Sequence, residues 1–372
     1  MYIYYLLLII AIGLKFLLNN KKIYFVIMFL AMGVMAGLRG PDVGADTYEY
    51  HRIFSQYSDE SFLDIMDGYD GVNDTQIELG FHVMIMICSL FSQSPQLFVF
   101  VSSCITFFFL GLFIYRNTDE KNYWIAVSLI VGMGYYFYSL AILRQALAAA
   151  VAANSMNLSC EKKWISAFGI VFLACMFHNS VAIFFPVLIC MLVYDCCCRN
   201  SKISKLYFVW LIMVACLLVI AKDVIFNNMD LFSVHYANYL LPTNKHNIES
   251  SNGYYGWAKF CLYLAITFWA VYRADRVENR NIKWMLIFSS VCVTMECIVM
   301  VLKEQIKILV RLIYNFEMFA WLLIAFMLYK IMSPYIRMYL LVVFMILCYI
   351  SLMLLGEKAN WNSVPYVTFF NF

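Results

Sequence analysis

Long apolar runs, separated by short polar and charged breaks, dominate the chain. A helix needs about 20 mainly apolar residues to cross a bilayer, fewer where its ends snorkel or the membrane thins locally. The runs 2–18, 23–38, 97–115, 123–140, 141–158, 206–222, 257–273, 284–302, 306–329 and 338–355 qualify. The run 164–194 is 31 residues long and is interrupted by His178, Asn179 and Ser180, which predicts a hairpin of two short helices. A shorter run, 79–91, either spans or dips in and returns as a re-entrant segment. The second arrangement requires protein or a wet cavity over its backbone.

Charge separates these alternatives, because Lys and Arg favour the cytoplasmic side of short loops. A re-entrant 79–91 with a hairpin at 164–194 puts 16 of the 26 basic residues inside, among them Lys15, Lys21, Lys22, Arg116, Lys121, Lys162, Lys163 and Lys330. A spanning 79–91 with one long helix at 164–194 divides them 13 and 13. The biased arrangement is the expectation adopted. It is an all-α polytopic membrane protein of about twelve transmembrane helices plus a short re-entrant segment, with both chain ends outside. Residues 1–372 read as a single transmembrane domain with extracytoplasmic loops at about 39–78 and 223–256.

Composition strengthens this reading: 64% of residues are hydrophobic, 13% are charged, and the mean hydropathy is +0.77. Soluble globules average about 45–50% apolar and about 25% charged, so soluble enzyme folds are excluded for most of the chain. A net charge of +3 gives no surface for nucleic acid. The 13 Cys fall mostly within apolar runs, with no Cys-x-x-Cys pair and no Cys/His metal spacing, so no metal is expected. Met1 to Leu18 lacks a basic n-region and a small-residue cleavage site and reads as a first span.

Candidate chemistry gathers on the outer side of this topology. The first outer loop opens Arg39-Gly40-Pro41-Asp42-Val43-Gly44-Ala45-Asp46, a turn able to hold a guanidinium and carboxylates in fixed relation. Arg144 sits in an otherwise apolar helix, where insertion costs about 2.5–3.5 kcal/mol. Snorkelling to the surface is one account of it. A functional site is the favoured one, because the Ala-rich run after it lets another helix pack closely and hold the guanidinium. His178, at the hairpin tip, suits either a structural cap or a base near neutral pH. Arg311, Asn315 and, on a neighbouring stripe, Tyr314 share helical spacing. Aromatics of the second outer loop, Tyr239 among them, suit sugar rings or a membrane-interface belt. Three arginines reaching one extracytoplasmic cavity would suit a diphosphate at the membrane surface, with carboxylates and aromatics beside it for a polyol.

In order along the chain, Leu38-Arg39-Gly40 through Asp42, Gly44, Asp46 and Tyr48 is followed by Glu78-x-Gly80-Phe81 and Arg144-Gln145-x-Leu147-Ala148. His178-x-Ser180-Val181, the stretch ending at Tyr239, Arg311-x-x-Tyr314-x-Phe316 and Pro365-Tyr366 complete the set. With these motifs the chain resembles the EpsG family of Wzy-type polysaccharide polymerases, departing from the pattern mildly at Pro41 and Asn179. The resemblance implies a GT-C-like glycosyltransferase in the bacterial inner membrane. It would work on the outer face, moving a growing glycan from undecaprenyl diphosphate to the sugar of another lipid-linked repeat unit, without a cofactor. The substrate is then an undecaprenyl-diphosphate-linked oligosaccharide in the lipid bilayer, and a flippase and a chain-length regulator of the same pathway are the expected partners.

Under that reading Arg144 and Arg311 hold the donor diphosphate, and His178 or Asp46 takes the acceptor proton. Arg39 binds a second diphosphate or holds the acidic turn, and Glu78 positions the sugar. Asp42, Gln145, Tyr239, Tyr314 and Tyr366 complete the substrate site. A flippase for lipid-linked sugar, a ligase or single-sugar transferase, and a structural scaffold are the competing readings.

Overall fold

The computed structural model describes residues 2–18, 20–58, 77–198, 253–302, 310–330, 335, 339, 342–350 and 365–371. Among these residues the structure is helical, with no strand and one isolated β-bridge, Arg39 to Thr368. Two compact units divide the chain: Met1–Leu188 with Ile324–Phe372, and Ile189–Leu323.

The first unit opens with α1 (Tyr2–Leu17) and α2 (Lys21–Gly37), the latter capped by the Asn20 side chain, which accepts from the Ile23 N–H. A short amphipathic helix, α3 (Thr47–Tyr57), follows the Gly-rich turn, then α4 (Leu79–Ser89) and α5 (Pro95–Asn117). Proline at the start of α5 needs no hydrogen-bond donor there. Helices α2 and α5 pack closely because small residues face large ones. A Cβ at Gly111 would lie 2.8 Å from the Phe29 ring, and one at Gly37 2.6 Å from Phe100.

Next come α6 (Tyr123–Gly132) and α7 (Tyr135–Ala141), which bend by 55° about Gly134 at φ +95°. Then follow α8 (Leu143–Ala153), α9 (Ser155–Cys160) and α10 (Trp164–Cys175). A 3₁₀ turn (Asn179–Ile183) leads into α11 (Phe184–Val193). The predicted break at His178 is therefore present. The expected single helices 123–140 and 141–158 are instead interrupted, the first at Gly134, whose left-handed backbone cannot continue a helix, and the second at Asn154.

The two ends of α2 and α5 carry different chemistry. At one end Lys21 donates to the Tyr115 and Thr118 carbonyls, Lys15 to that of Glu120, and Lys330 pairs with Asp119. At the other end lie Arg39 and Gln96, separated from the first by about 30 Å of helix.

The second unit holds α12 (Gly253–Ala274) packed on α13 (Arg280–Leu302), then α14 (Val310–Ile313), and α15 (Glu317–Lys330) begins in it. The predicted continuous run 306–329 is broken by a turn at Tyr314 to Phe316, and the turn's three side chains are buried. Among the described residues Pro95–Asn117, Asn179–Cys197 and Arg280–Leu302 are long and apolar enough to cross a membrane, with the bent pair α6 and α7 as a fourth. At 11 residues α4 is shorter than that. The predicted span 206–222 and the loop 223–256 up to Asn252 lie outside the described residues.

Candidate functional site

Glu78 stands at the N-cap of α4 with extended backbone, which turns its carboxylate toward α8 and the tip of the 164–194 hairpin. Its Oε2 is 3.0 Å from Arg144 Nη1, and its Oε1 accepts the Asn179 N–H at 3.1 Å. Two residues further along the chain the backbones are also joined, since the Gly80 N–H donates to the Met176 carbonyl at 2.7 Å. A Cβ at Gly80 would lie 2.8 Å from that oxygen, so the glycine is what lets α4 approach the tip.

Arg144 lies over the Phe81 ring at 5.5 Å and keeps 24% of its side chain exposed, against 12% for Glu78. The guanidinium is thus fixed through Nη1, its Nε is buried, and about a quarter of the side chain stays exposed. His178 caps the 3₁₀ turn, its Nδ1 accepting the Ser180 N–H at 3.1 Å. Gln145 is buried beside Arg144. The structure therefore brings together Glu78, Arg144 and His178, residues from three separated motifs.

Arg39 has a different setting. Its side chain is fully buried, with Nε donating to Thr47 Oγ1 at 3.1 Å and Nη1 to Ser103 Oγ at 3.1 Å and to the Ala36 carbonyl. Thr47 in turn donates to the Val43 carbonyl at 2.6 Å. The turn is thus held through a hydroxyl. The fixed guanidinium–carboxylate relation expected for it is not found, since no carboxylate lies within ion-pair distance of Arg39 among the described residues. Burial pulls the guanidinium down to about 10, and neighbouring tyrosines, Tyr136 first, oppose this, so it stays charged at neutral pH. Asp42 is exposed and Asp46 half-buried, just before α3.

The turn and the Glu78–Arg144 pair abut. Gly44, at φ +94°, packs so tightly on α7 that a Cβ would come 2.5 Å from the Leu140 carbonyl, and Tyr50 meets Phe81 at 6.0 Å. The chain's last described segment closes over the same turn. Gly40 N–H donates to the Val367 carbonyl, Phe369 N–H to that of Leu38, and Tyr366 hydroxyl to that of Met35 at 2.5 Å.

Arg311 and Tyr314 belong to the second unit, where Arg311 is exposed and Tyr314 buried. Tyr239 lies outside the described residues. Sequence reasoning passed over three features. His82, one turn after Glu78, is buried against Tyr57 at 4.7 Å, and neither ring nitrogen has a hydrogen-bond partner among the described residues. Gln96 bridges the Gly37 and Arg39 carbonyls. In the second unit Lys259 of α12 pairs with Glu317 at 2.7 Å and with Glu296 of α13 at 3.4 Å, both carboxylates being buried. Ionisable residues inside apolar runs, such as Lys259 and Glu296, are the signal that would have found this cluster.

Helices of membrane-spanning length define a helical membrane protein, with a fixed, partly exposed guanidinium at the end opposite the lysines. The EpsG family model matches residues 22–368, nearly the whole chain. The chain belongs to the EpsG family, whose members are Wzy-type polymerase-like. No curated protein and no solved structure matches the chain.

Proposed function

We propose that the protein is a polysaccharide polymerase of GT-C-like kind with about twelve spans, acting at the outer face of a bacterial inner membrane. Its donor is a glycan on undecaprenyl diphosphate, and its acceptor is a hydroxyl of another lipid-linked repeat unit. The observation that carries this is the Glu78-held Arg144 guanidinium, partly exposed at the end of the first unit away from Lys15, Lys21 and Lys330. A lysine-rich end favours the cytoplasm, which turns Arg144 outward.

In the reaction, negative charge grows on the diphosphate as its bond to the sugar breaks, and a cation already in place stabilises it without reorganising. Arg144 supplies that cation. Arg39, closed inside the protein, holds the turn that carries Asp42 and Asp46 rather than touching substrate. Tyr366 supports the same turn through Met35. The acceptor proton needs a base, for which the sequence offers His178 or Asp46.

Purified protein incubated with a defined lipid-linked repeat unit should produce a ladder of longer products. Movement of labelled substrate across liposomes without chain growth would instead establish a flippase, and a single addition a transferase or ligase. Wild-type protein yielding neither ladder nor addition overturns the proposal.

A further inference from the structure

Helices α2 and α5 run antiparallel, and a groove of about 710 Å³ lies open along their seam. Its lining is apolar for most of its length: Phe25, Phe29 and Leu30 from α2, Phe108 and Leu112 from α5. Phe25 and Phe29 stack with their ring planes parallel at 5.5 Å. Gly33 lines the groove where the helices touch, a Cβ there lying 3.3 Å from the Cys104 Cα. Along the rim Val26, Leu30 and Phe108 are each about 60% exposed. Large apolar side chains so open, on helices of a membrane protein, face hydrocarbon.

The groove has a definite depth and a polar end. Its lining runs from Lys22 to Gly33 on α2 and from Tyr115 back to Cys104 on α5, about 16 Å in each case. Half of a bilayer's hydrocarbon core is about 15 Å thick. The groove is therefore one leaflet deep, opening at the lysine end and closing near the midplane. At its mouth stand Lys22 and Tyr115. Lys21 is committed to the Tyr115 and Thr118 carbonyls, Lys15 to that of Glu120, and Lys330 to Asp119. Lys22 is exposed and has no partner among the described residues. An ammonium and a phenolic hydroxyl at headgroup depth are donors suited to a phosphate.

We infer that this groove holds one acyl chain of an anionic phospholipid from the leaflet at the lysine end, its phosphate meeting Lys22 and the Tyr115 hydroxyl. Hydrocarbon gains nothing hydrophobic by leaving bilayer for groove, so the lipid is retained by dispersion against the aromatic lining and by charge. Charge also selects it: a zwitterionic headgroup brings an ammonium of its own, which offsets the phosphate beside Lys22. The lipid-linked substrate of the proposed reaction would carry its diphosphate at the opposite end, by Arg144, and its head would not meet Lys22. The inference needs only that the chain is a membrane protein.

Native mass spectrometry of the full-length protein in detergent, titrated with dioleoyl phosphatidylglycerol or dioleoyl phosphatidylcholine, tests it. Wild-type protein should bind one phosphatidylglycerol about fivefold more tightly than phosphatidylcholine. Lys22→Gln should abolish that preference while leaving phosphatidylcholine binding unchanged. Leu30→Trp, at an open rim position, fills the groove and should remove the tight adduct. Ile9→Trp, on α1 and as exposed as Leu30, lies outside the lining and should retain it. Equal binding of the two lipids by wild-type protein, a preference that survives Lys22→Gln, or an adduct that survives Leu30→Trp overturns the inference. So does displacement of the bound phosphatidylglycerol by an equal concentration of undecaprenyl phosphate, which would give the groove to an isoprenoid tail. No measurement here reads polymer, so failure of the polymerase reading leaves the test intact.

Discussion

Arg144 and Glu78, 66 residues apart in sequence, meet at 3.0 Å and tie the start of α8 to the start of α4. Because Glu78 also accepts from Asn179, its removal frees both the guanidinium and the hairpin tip. Glu78→Ala should therefore lower polymer formation about 10²-fold, more through kcat than through KM, since a misplaced cation is felt mainly in the transition state. Glu78→Gln retains the Asn179 contact and should be milder. Ladder assays at varied substrate concentration check both.

Arg144→Lys preserves charge but not the planar fork, which already spends one arm on Glu78. It should lose much of the activity, and Arg144→Ala nearly all of it, with unchanged amounts of protein in the membrane. Full-length polymer from Arg144→Ala would remove this residue from the mechanism.

Arg39 predicts a different signature. Arg39→Lys leaves Thr47 or Ser103 without its present partner in a fully buried setting, at a cost of about 1–3 kcal/mol. The expected readout is a lower unfolding temperature in detergent, with activity falling in step. A raised KM at wild-type stability would instead place Arg39 against substrate.

Gly44→Ala puts a Cβ 2.5 Å from the Leu140 carbonyl at a backbone φ of +94°. Strain of about 1–3 kcal/mol should appear as lower thermal stability. Because the turn leads to Asp46 and α3, activity should fall beyond what the stability loss explains, as measured on folded protein below its unfolding temperature.

In the second unit, Lys259→Met strands the buried carboxylates of Glu296 and Glu317 without their shared cation. Breaking a buried pair this way costs about 3–5 kcal/mol. Glu296→Gln keeps the 2.7 Å Lys259–Glu317 pair and should be far better tolerated. Yields of folded protein after detergent extraction, followed by thermal unfolding, compare the two variants.

Run length and local breaks were readable from the chain because both are properties of consecutive residues. The apolar stretches at 97–115 and 284–302 became α5 and α13, and the polar triplet at His178 did interrupt its run. The breaks at Asn154 and at Tyr314 to Phe316 escaped that reading. Polar residues do mark both places, Asn154, Ser155 and Asn157 at one and Asn315 and Glu317 at the other, but the apolar stretches around them are long enough to read as continuous, and burial inside protein lets irregular backbone persist.

Motif order along the chain likewise identified the family, and single residue types nominated Arg39, Arg144 and His178. Which partner each of them takes is a matter of distance in space, and no periodicity encodes it. Glu78 found Arg144 across 66 residues, and Tyr366 found the Met35 carbonyl across 331. Arg39 turned inward to hydroxyls where an acidic turn had pointed to carboxylates, and Lys259 drew two buried acids together. Desolvation is the physical reason: once helices pack, each enclosed charge must be satisfied by whatever polar atoms the packing brings within about 3 Å.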